Sequence, residues 1–255
     1  MLAQPEIERW FRSTARGSPI TAEVALRRLG RACELLETHP KQIVEHARTD
    51  PKAFTDRLDD MVTALENQRM APSYIEGILK AIRSWLRYNG IKLIRKIQVT
   101  NAGRTPTIED EQVPSQDELA RIFRTSPPRT RVAEAFIALA DLRPETLGDH
   151  RGTDGLTLAD LPELKVDPQT GKVLFDNVPT MVIVRPSLSK ARHKYFTFLP
   201  QEGCTYLAEY LEERLGKGER LTPHSPIIGH EMDRAAVNRF IRTVKIGDMI
   251  RKAMR

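Results

Sequence analysis

The sequence predicts a mainly α-helical protein with a small antiparallel β-sheet, built as two domains. Three observations lead there. Apolar residues recur at helical spacing through most of residues 5–97 and again from Ser115 to Leu142. After Lys172 the pattern changes to short runs rich in β-branched and aromatic residues, which read as strands. Residues 98–114, QVTNAGRTPTIEDEQVP, follow neither period and contain Gly103, Pro106 and Pro114. They read as a linker between a first domain over 1–97 and a second over 115–255. A chain of 255 residues is long enough for two modest hydrophobic cores.

In the first domain, residues 5–12 (PEIERWFR) predict a short amphipathic helix that pauses at Gly17-Ser18-Pro19. Thr21 can cap a longer helix through Leu36, with Ala25, Leu29, Ala32 and Leu36 on one face, and His39-Pro40 stops it. Another helix starts near Asp50-Pro51 and carries Phe54, Leu58, Met61, Val62 and Leu65. Over residues 72–97, Ile75, Ile78, Leu79, Ile82 and Leu86 form a strong apolar stripe. Lys80, Arg83 and Arg87, at i, i+3 and i+7, share a second face, and Lys92, Arg95 and Lys96 extend the basic character past Asn89-Gly90. Glu76 is the single acid in this stretch. Such a face is either solvated surface or a contact for nucleic-acid phosphates, where lysine and arginine release counterions.

The second domain opens at Ser115-Gln116-Asp117-Glu118, which fits a capping box, with Leu119, Ile122 and Phe123 as the apolar face of the helix it starts. A helix from about Pro128 runs through Val132, Phe136 and Leu139 into Arg143, so that one arginine sits at the end of a buried helix. A polar turn then leads to Leu156, Leu158 and Leu161. Strands are expected at Val173–Phe175, Met181–Val184 and Tyr195–Leu199, the last two flanking a basic hairpin loop, RPSLSKARHK, over residues 185–194. After Pro200, Leu207, Leu211 and Leu215 mark a helix closed by Gly216 and Gly218. Asp233 is expected to cap a final helix to Arg255, with Val237, Phe240, Ile241 and Val244 on its buried face.

Net charge is +6 and the sequence pI is about 9.4, a balance that favours an anionic partner such as nucleic acid. Cys33 and Cys204 each sit in a helix-like apolar pattern and read as reduced core residues rather than a disulfide or zinc site. The N-terminus has no apolar core of signal-peptide length, and no apolar run reaches membrane-spanning length, so the expected place is the cytoplasm, away from the membrane. No metal ligand is assigned. A metal-dependent nuclease would have to use Asp141, Asp149, Asp154, Asp160 and His150, which lie in a turn-rich segment without ligand spacing.

The stretch FIALADLRPETLGDHRGTDGLTLADLPEL, residues 136–164, resembles the first active-site box of the tyrosine recombinase (phage integrase) family, of the Xer-like kind. There a Gly-Leu-Arg-like turn carries the first catalytic arginine. The order of linker, capped helix, apolar helix and Leu-Arg turn resembles the opening of that family's catalytic domain. A four-helix first domain ending in a basic helix resembles its core-binding domain. The resemblance implies an N-terminal helical core-binding domain followed by part of an α+β integrase catalytic domain. It implies double-stranded DNA as the partner, with self-association on the DNA, and no cofactor, because a phosphotyrosyl link conserves the bond energy for rejoining. Arg143 is the implied catalytic arginine, and Lys190, in the turn before the last strand, is the implied general acid, with Arg192 and Lys194 competing for that place. Lys80, Arg83, Arg87, Arg95 and Arg192 are the implied DNA contacts.

The sequence also departs from the family's pattern. The acid the family carries three positions after the arginine falls here at plus two, as Glu145, with Thr146 at plus three. No His-x-x-Arg box follows. Thr222-Pro223-His224-Ser225 resembles the start of that box but continues Pro226-Ile227-Ile228, and Gly229-His230 comes too early for the family's later Gly-His. Tyr195, Tyr206 and Tyr210 precede the place of the nucleophile. The resemblance therefore implies a chain that stops before the second catalytic box and binds DNA without cleaving it. The competing reading is a two-domain DNA-binding regulator without strand-cleavage chemistry.

Overall fold

The computed structural model describes residues 1–103, 113–167, 170–230 and 240–254, and the chain divides into two units, Met1–Gln112 and Val113–Arg255. It is mainly helical, as the periodicities predict, with two small antiparallel sheets.

Five described helices build the first unit: α1 (Pro5–Ala15), α2 (Pro19–Leu35), α3 (Pro40–Thr49), α4 (Pro51–Asn67) and α5 (Pro72–Tyr88). Each begins with proline, whose fixed φ suits the first helical position and whose missing N–H would be unpaired there anyway. That habit corrects the expected four-helix count. His39-Pro40 ends α2 and also starts α3, where the Gln42 side chain accepts from the His39 amide at 3.1 Å. It also moves the cap of α2 from Thr21 to Ser18, whose hydroxyl accepts from the Thr21 amide at 3.3 Å. The core gathers on α5, where Ile75, Ile78, Leu79, Ile82 and Leu86 are fully buried. Trp85 meets Trp10 edge-on at 5.6 Å and donates its indole N–H to Pro40 O at 2.8 Å, so neither ring is buried with an unmet donor.

The basic stretch over 72–97 is not one helix. α5 stops at Tyr88, Gly90 takes φ +75°, and the amides of Gly90 and Ile91 return to the carbonyls of Arg87 and Leu86 in a Schellman ending. Residues 91–99 then run back as an irregular tail that buries Ile97 and Val99 in the same core, and the Thr100 amide donates to Glu66 on α4 at 2.7 Å.

In the second unit, α6 (Gln116–Thr125) starts at the expected capping box, Ser115 and Glu118 each accepting the other's amide. α7 (Pro128–Ala138) packs against α9 (Gln201–Gly216). Between them in sequence lie the short α8 (Pro144–Leu147), a 3-10 turn at Leu158–Asp160, and four strands: β1 (Leu164–Val166), β2 (Val173–Phe175), β3 (Thr180–Val184) and β4 (Tyr195–Leu199). β1 pairs with β2, and β3 with β4, as two separate antiparallel hairpins rather than one sheet. β1 escaped the sequence reading because its three residues, Leu164, Lys165 and Val166, are too few to show alternation.

Two further corrections concern the segments around Arg143 and at the C-terminal end. α7 ends at Ala138, five residues before Arg143. Asp141 takes φ +53° and the Leu142 amide returns to Phe136 O at 3.1 Å, so the chain reverses before it reaches the arginine. The last helix, α10, spans Thr243–Ala253 rather than starting at Asp233, which with Val237 lies outside the described residues. Phe240 bridges Gly229 antiparallel, and Ile241 follows it outside any helix or strand. The Phe240 and Thr243 amides go to the carbonyls of Gly152 and Asp149, so these donors serve tertiary bonds rather than a helix. Phe240 and Ile241 are buried as expected, but Val244 is 67% exposed, and Ile246 and Met249 form the buried face instead.

Candidate nucleic-acid interface

The expected contact residues fall into two places, one in each unit. In the first, Arg83, Arg87 and Arg95 come together with Lys92 and Lys96 around a groove of about 260 Å³ floored by Leu86, Ile91, Leu93 and Ile97. The Schellman turn creates it, by folding the basic tail back beside the last turn of α5. Lys80 is exposed on α5 but does not line the groove.

The five cations of the groove are not equivalent. Arg87, Lys92 and Lys96 are exposed and have no ion pair among the described residues. Arg83 is half-buried, donating to Glu76 at 2.8 Å and to Leu79 O at 3.3 Å. Arg95 bonds Asp56 at 2.7 Å and Asp59 as well, both on α4. Hydrogen bonds from Arg95 and then Lys52 hold the Asp56 carboxyl below its usual range, and the same two acids raise Arg95. Arg95 thus works partly as a clamp for the tail, a role sequence spacing could not show.

In the second unit Arg143 occupies the N-cap position of α8, exposed and in extended backbone; its carbonyl accepts from the Thr146 amide at 2.9 Å, and its side chain has no hydrogen bond or ion pair among the described residues. The flanking backbone is firmly held. Ala140 and Leu142 are buried before it and Thr146 and Leu147 after it. Gly148 admits Ile241 so closely that a Cβ there would lie 1.9 Å from Ile241 O. Thr243 Oγ1 donates to Gly148 O at 2.6 Å, closing the same contact from the other side.

The β3–β4 hairpin approaches this turn through one bond, from Thr197 Oγ1 to Ala140 O at 3.0 Å. Its loop exposes Lys190, Arg192 and Lys194, none ion-paired among the described residues, and Arg192 sits at φ +56°. Arg185, at the loop's base, is different. It binds Asp160 at 3.0 Å, Asp154 at 2.9 Å and Gly155 O at 2.7 Å. Burial alone would lower its pKa, but the hydrogen bond and charge of Asp154 and the charge of Asp160 raise it. Sequence reasoning missed Arg185, although two acids preceding a basic strand end were a visible signal.

The same bonds occupy the acids a metal centre would need. Asp149 accepts from the Thr153 amide and hydroxyl at 2.7 Å each, and among the described residues no group of three or more ligating side chains could hold an ion. Burial and then Glu202 push the Tyr206 phenol up to about 12, and burial raises Tyr210. His224 is exposed, and the neighbouring Ser225 and Pro223 carbonyls accept from Leu158 and Ala159, so Thr222–Ser225 serves as a docking strap. Both cysteines are free, with Cys33 raised to about 11 by burial and then Glu34. No helix among the described residues is long and apolar enough to cross a membrane.

No protein-family model matches the chain. No curated protein sequence matches it either. Among solved structures it is similar to the crystal structure of XerA recombinase, with 14% identity, covering 98% of this chain and 74% of that one at a TM-score of 0.36.

Proposed function

We propose that this chain is a DNA-binding polypeptide of the tyrosine-recombinase type, which grips duplex DNA with the groove of its first unit and presents Arg143 and the β3–β4 loop to one backbone phosphate. One observation carries the reading. An exposed arginine without a carboxylate partner stands on a clamped turn, and that turn is tied to the hairpin bearing Lys190. An unpaired guanidinium on a turn held this way suits the non-bridging oxygens of a phosphate, because its planar fork of donors can bond two of them at once. In a chain completed for cleavage Lys190 would supply the proton to a departing oxygen, with Lys194 able to take its place and Arg192 limited to binding the phosphate. The groove of Arg83, Arg87, Lys92 and Lys96 supplies sequence-independent affinity.

Strand cleavage also needs a second arginine and an activated nucleophile. No His-x-x-Arg follows Arg143 in these 255 residues, and the phenols of Tyr206 and Tyr210 are shifted the wrong way for attack. The chain is therefore expected to bind duplex DNA without forming a covalent adduct.

The test is a methylphosphonate scan of a duplex recovered by selection from random sequence. Neutralising one particular phosphate should weaken the wild type by about tenfold and leave the already weakened Arg143→Ala variant almost unaffected. The same phosphate should lose its effect in Lys190→Ala. If Arg143→Ala binds like the wild type and keeps the same phosphate profile, the arginine faces no phosphate and the reading fails.

A further inference from the structure

The outer face of the β3–β4 hairpin is apolar and open. Pairing of Met181 with Phe198 and of Ile183 with Phe196 puts these four side chains on one face, while Val182, Val184 and Leu199 point the other way into the core. Phe196 is 61% exposed and Phe198 45% exposed. Their rings lie 5.8 Å apart at 79°, forming an aromatic corner in which one ring can offer its face while the other closes the edge.

The charge that the hairpin itself carries is of one sign, and the Glu163 carboxylate beside it is taken up by the Met181 amide, Thr180 and Asn177. From Met181 to Pro200 the sequence holds no acid and carries Arg185, Lys190, Arg192, His193 and Lys194. Arg185 is neutralised by Asp154 and Asp160, which leaves Lys190, Arg192 and Lys194 exposed without an ion pair among the described residues. Lys194, Phe196 and Phe198 follow each other at every second residue, about 7 Å per step along an extended strand.

We propose that this face is a stacking platform for single-stranded nucleic acid, with bases lying on Phe196 and Phe198 and the backbone held by Lys194, Arg192 and Lys190. Charge decides between occupants. A purely apolar protein partner would leave three cations unanswered at the rim, whereas a polynucleotide offers a flat π-face and a negative phosphate at each step. A duplex satisfies the cations but keeps its base faces stacked inside, so the exposed phenylalanines select for unpaired strands. The inference does not depend on Arg143 meeting a phosphate.

The test uses the full chain, a fluorescent 15-nucleotide oligothymidine and the same length of duplex, compared by anisotropy at one salt concentration. The double variant Phe196→Ala/Phe198→Ala should lose at least about tenfold in affinity for the single strand and keep duplex affinity within twofold. Phe196→Leu/Phe198→Leu, which keeps the apolar cover should the alanine pair fail to fold, should lose the single strand to a similar degree. Ultraviolet cross-linking should place thymidine on peptides containing residues 195–199. Unchanged single-strand binding in the alanine variant, equal loss for both forms of DNA, or full retention by the leucine variant would each overturn the proposal. So would an alanine variant whose only change is loss of self-association in sedimentation, because the face would then be a contact between copies.

Discussion

Replacing Glu134 by glutamine is expected to stabilise the second unit at pH 8 and to change little at pH 4.5. Glu134 lies on α7 with 5% exposure; one carboxyl oxygen accepts from Ser126 Oγ at 3.0 Å and the other has no partner. Burial raises its pKa from the ordinary 4.5 to about 7, against the lowering effects of the Ser126 bond and the Arg131 charge. Because the folded value lies above the unfolded one, the folded state holds this proton more tightly. The stabilisation is complete below the unfolded value of 4.5 and is lost as pH rises through about 7. At roughly 1.4 kcal/mol per pH unit of difference, ionisation costs the fold about 3 kcal/mol at pH 8.

Glutamine keeps a carbonyl to accept from Ser126 and has no charge to bury, so the variant should gain about 2–3 kcal/mol at pH 8. At pH 4.5 the gain should fall to about 0.5 kcal/mol or less. Urea unfolding followed by far-ultraviolet circular dichroism measures this, and comparing variant with wild type cancels every other titrating group. Trp10 and Trp85 are the protein's two tryptophans and both lie in the first unit, so their fluorescence supplies an internal reference. A gain that is equal at both pH values, or a loss at pH 8, would refute the argument.

Other substitutions test the geometry. Arg95→Ala should reduce duplex affinity less than Arg87→Ala in anisotropy at fixed salt, because Asp56 and Asp59 already hold the Arg95 guanidinium, while Arg87 is unpaired among the described residues. Asp56→Asn/Asp59→Asn should tighten binding several-fold, and an Arg95→Ala effect as large as that of Arg87→Ala would show that the clamp leaves Arg95 available to DNA. Gly148→Ala should cost about 2 kcal/mol or more, since its Cβ would fall 1.9 Å from Ile241 O; an unchanged urea midpoint would show that the C-terminal segment does not press there. Asp141→Gly should raise the unfolding free energy by up to about 1 kcal/mol, since Asp141 holds φ +53° in a region that glycine enters freely, and a lowered urea midpoint would mean that the aspartate contributes more than its strain costs.

Much of the fold was legible because its signals are local. The α5 stripe and the Ser115–Glu118 box place side chains within a turn or two of each other, and the structure keeps both. The misses arise where one residue serves two elements or where a donor bonds far along the chain. Pro40 closes one helix and opens the next. Gly90 ends α5 although the basic pattern continues to Lys96, because residues 91–99 gain more by burying Ile97 and Val99 than by extending a helix. At the C-terminal end the Thr243 amide and hydroxyl bond Asp149 O and Gly148 O, ninety-odd residues away, and no window of apolar spacing contains that information.

The turn carrying Arg143 brings these two kinds of signal together. Its sequence, ending in Asp141-Leu142-Arg143, reads as the end of an apolar helix. Asp141 instead turns the chain at positive φ, and aspartate is among the few L-residues that enter the left-handed region with modest strain. What spacing could not supply is the difference between Arg143 and Arg185. Both are arginines beside turns in the second unit, with acids nearby in sequence. Arg185 is taken up by Asp154, Asp160 and Gly155 O, and its charge holds the β3 strand against the 3-10 turn. Arg143 is left open while its backbone is fixed by Leu142 to Phe136, Thr197 to Ala140 and Thr243 to Gly148. The fold holds the backbone at Arg143 and leaves its guanidinium unpaired among the described residues, whereas at Arg185 it pairs the charge, and that distinction separates the two arginines.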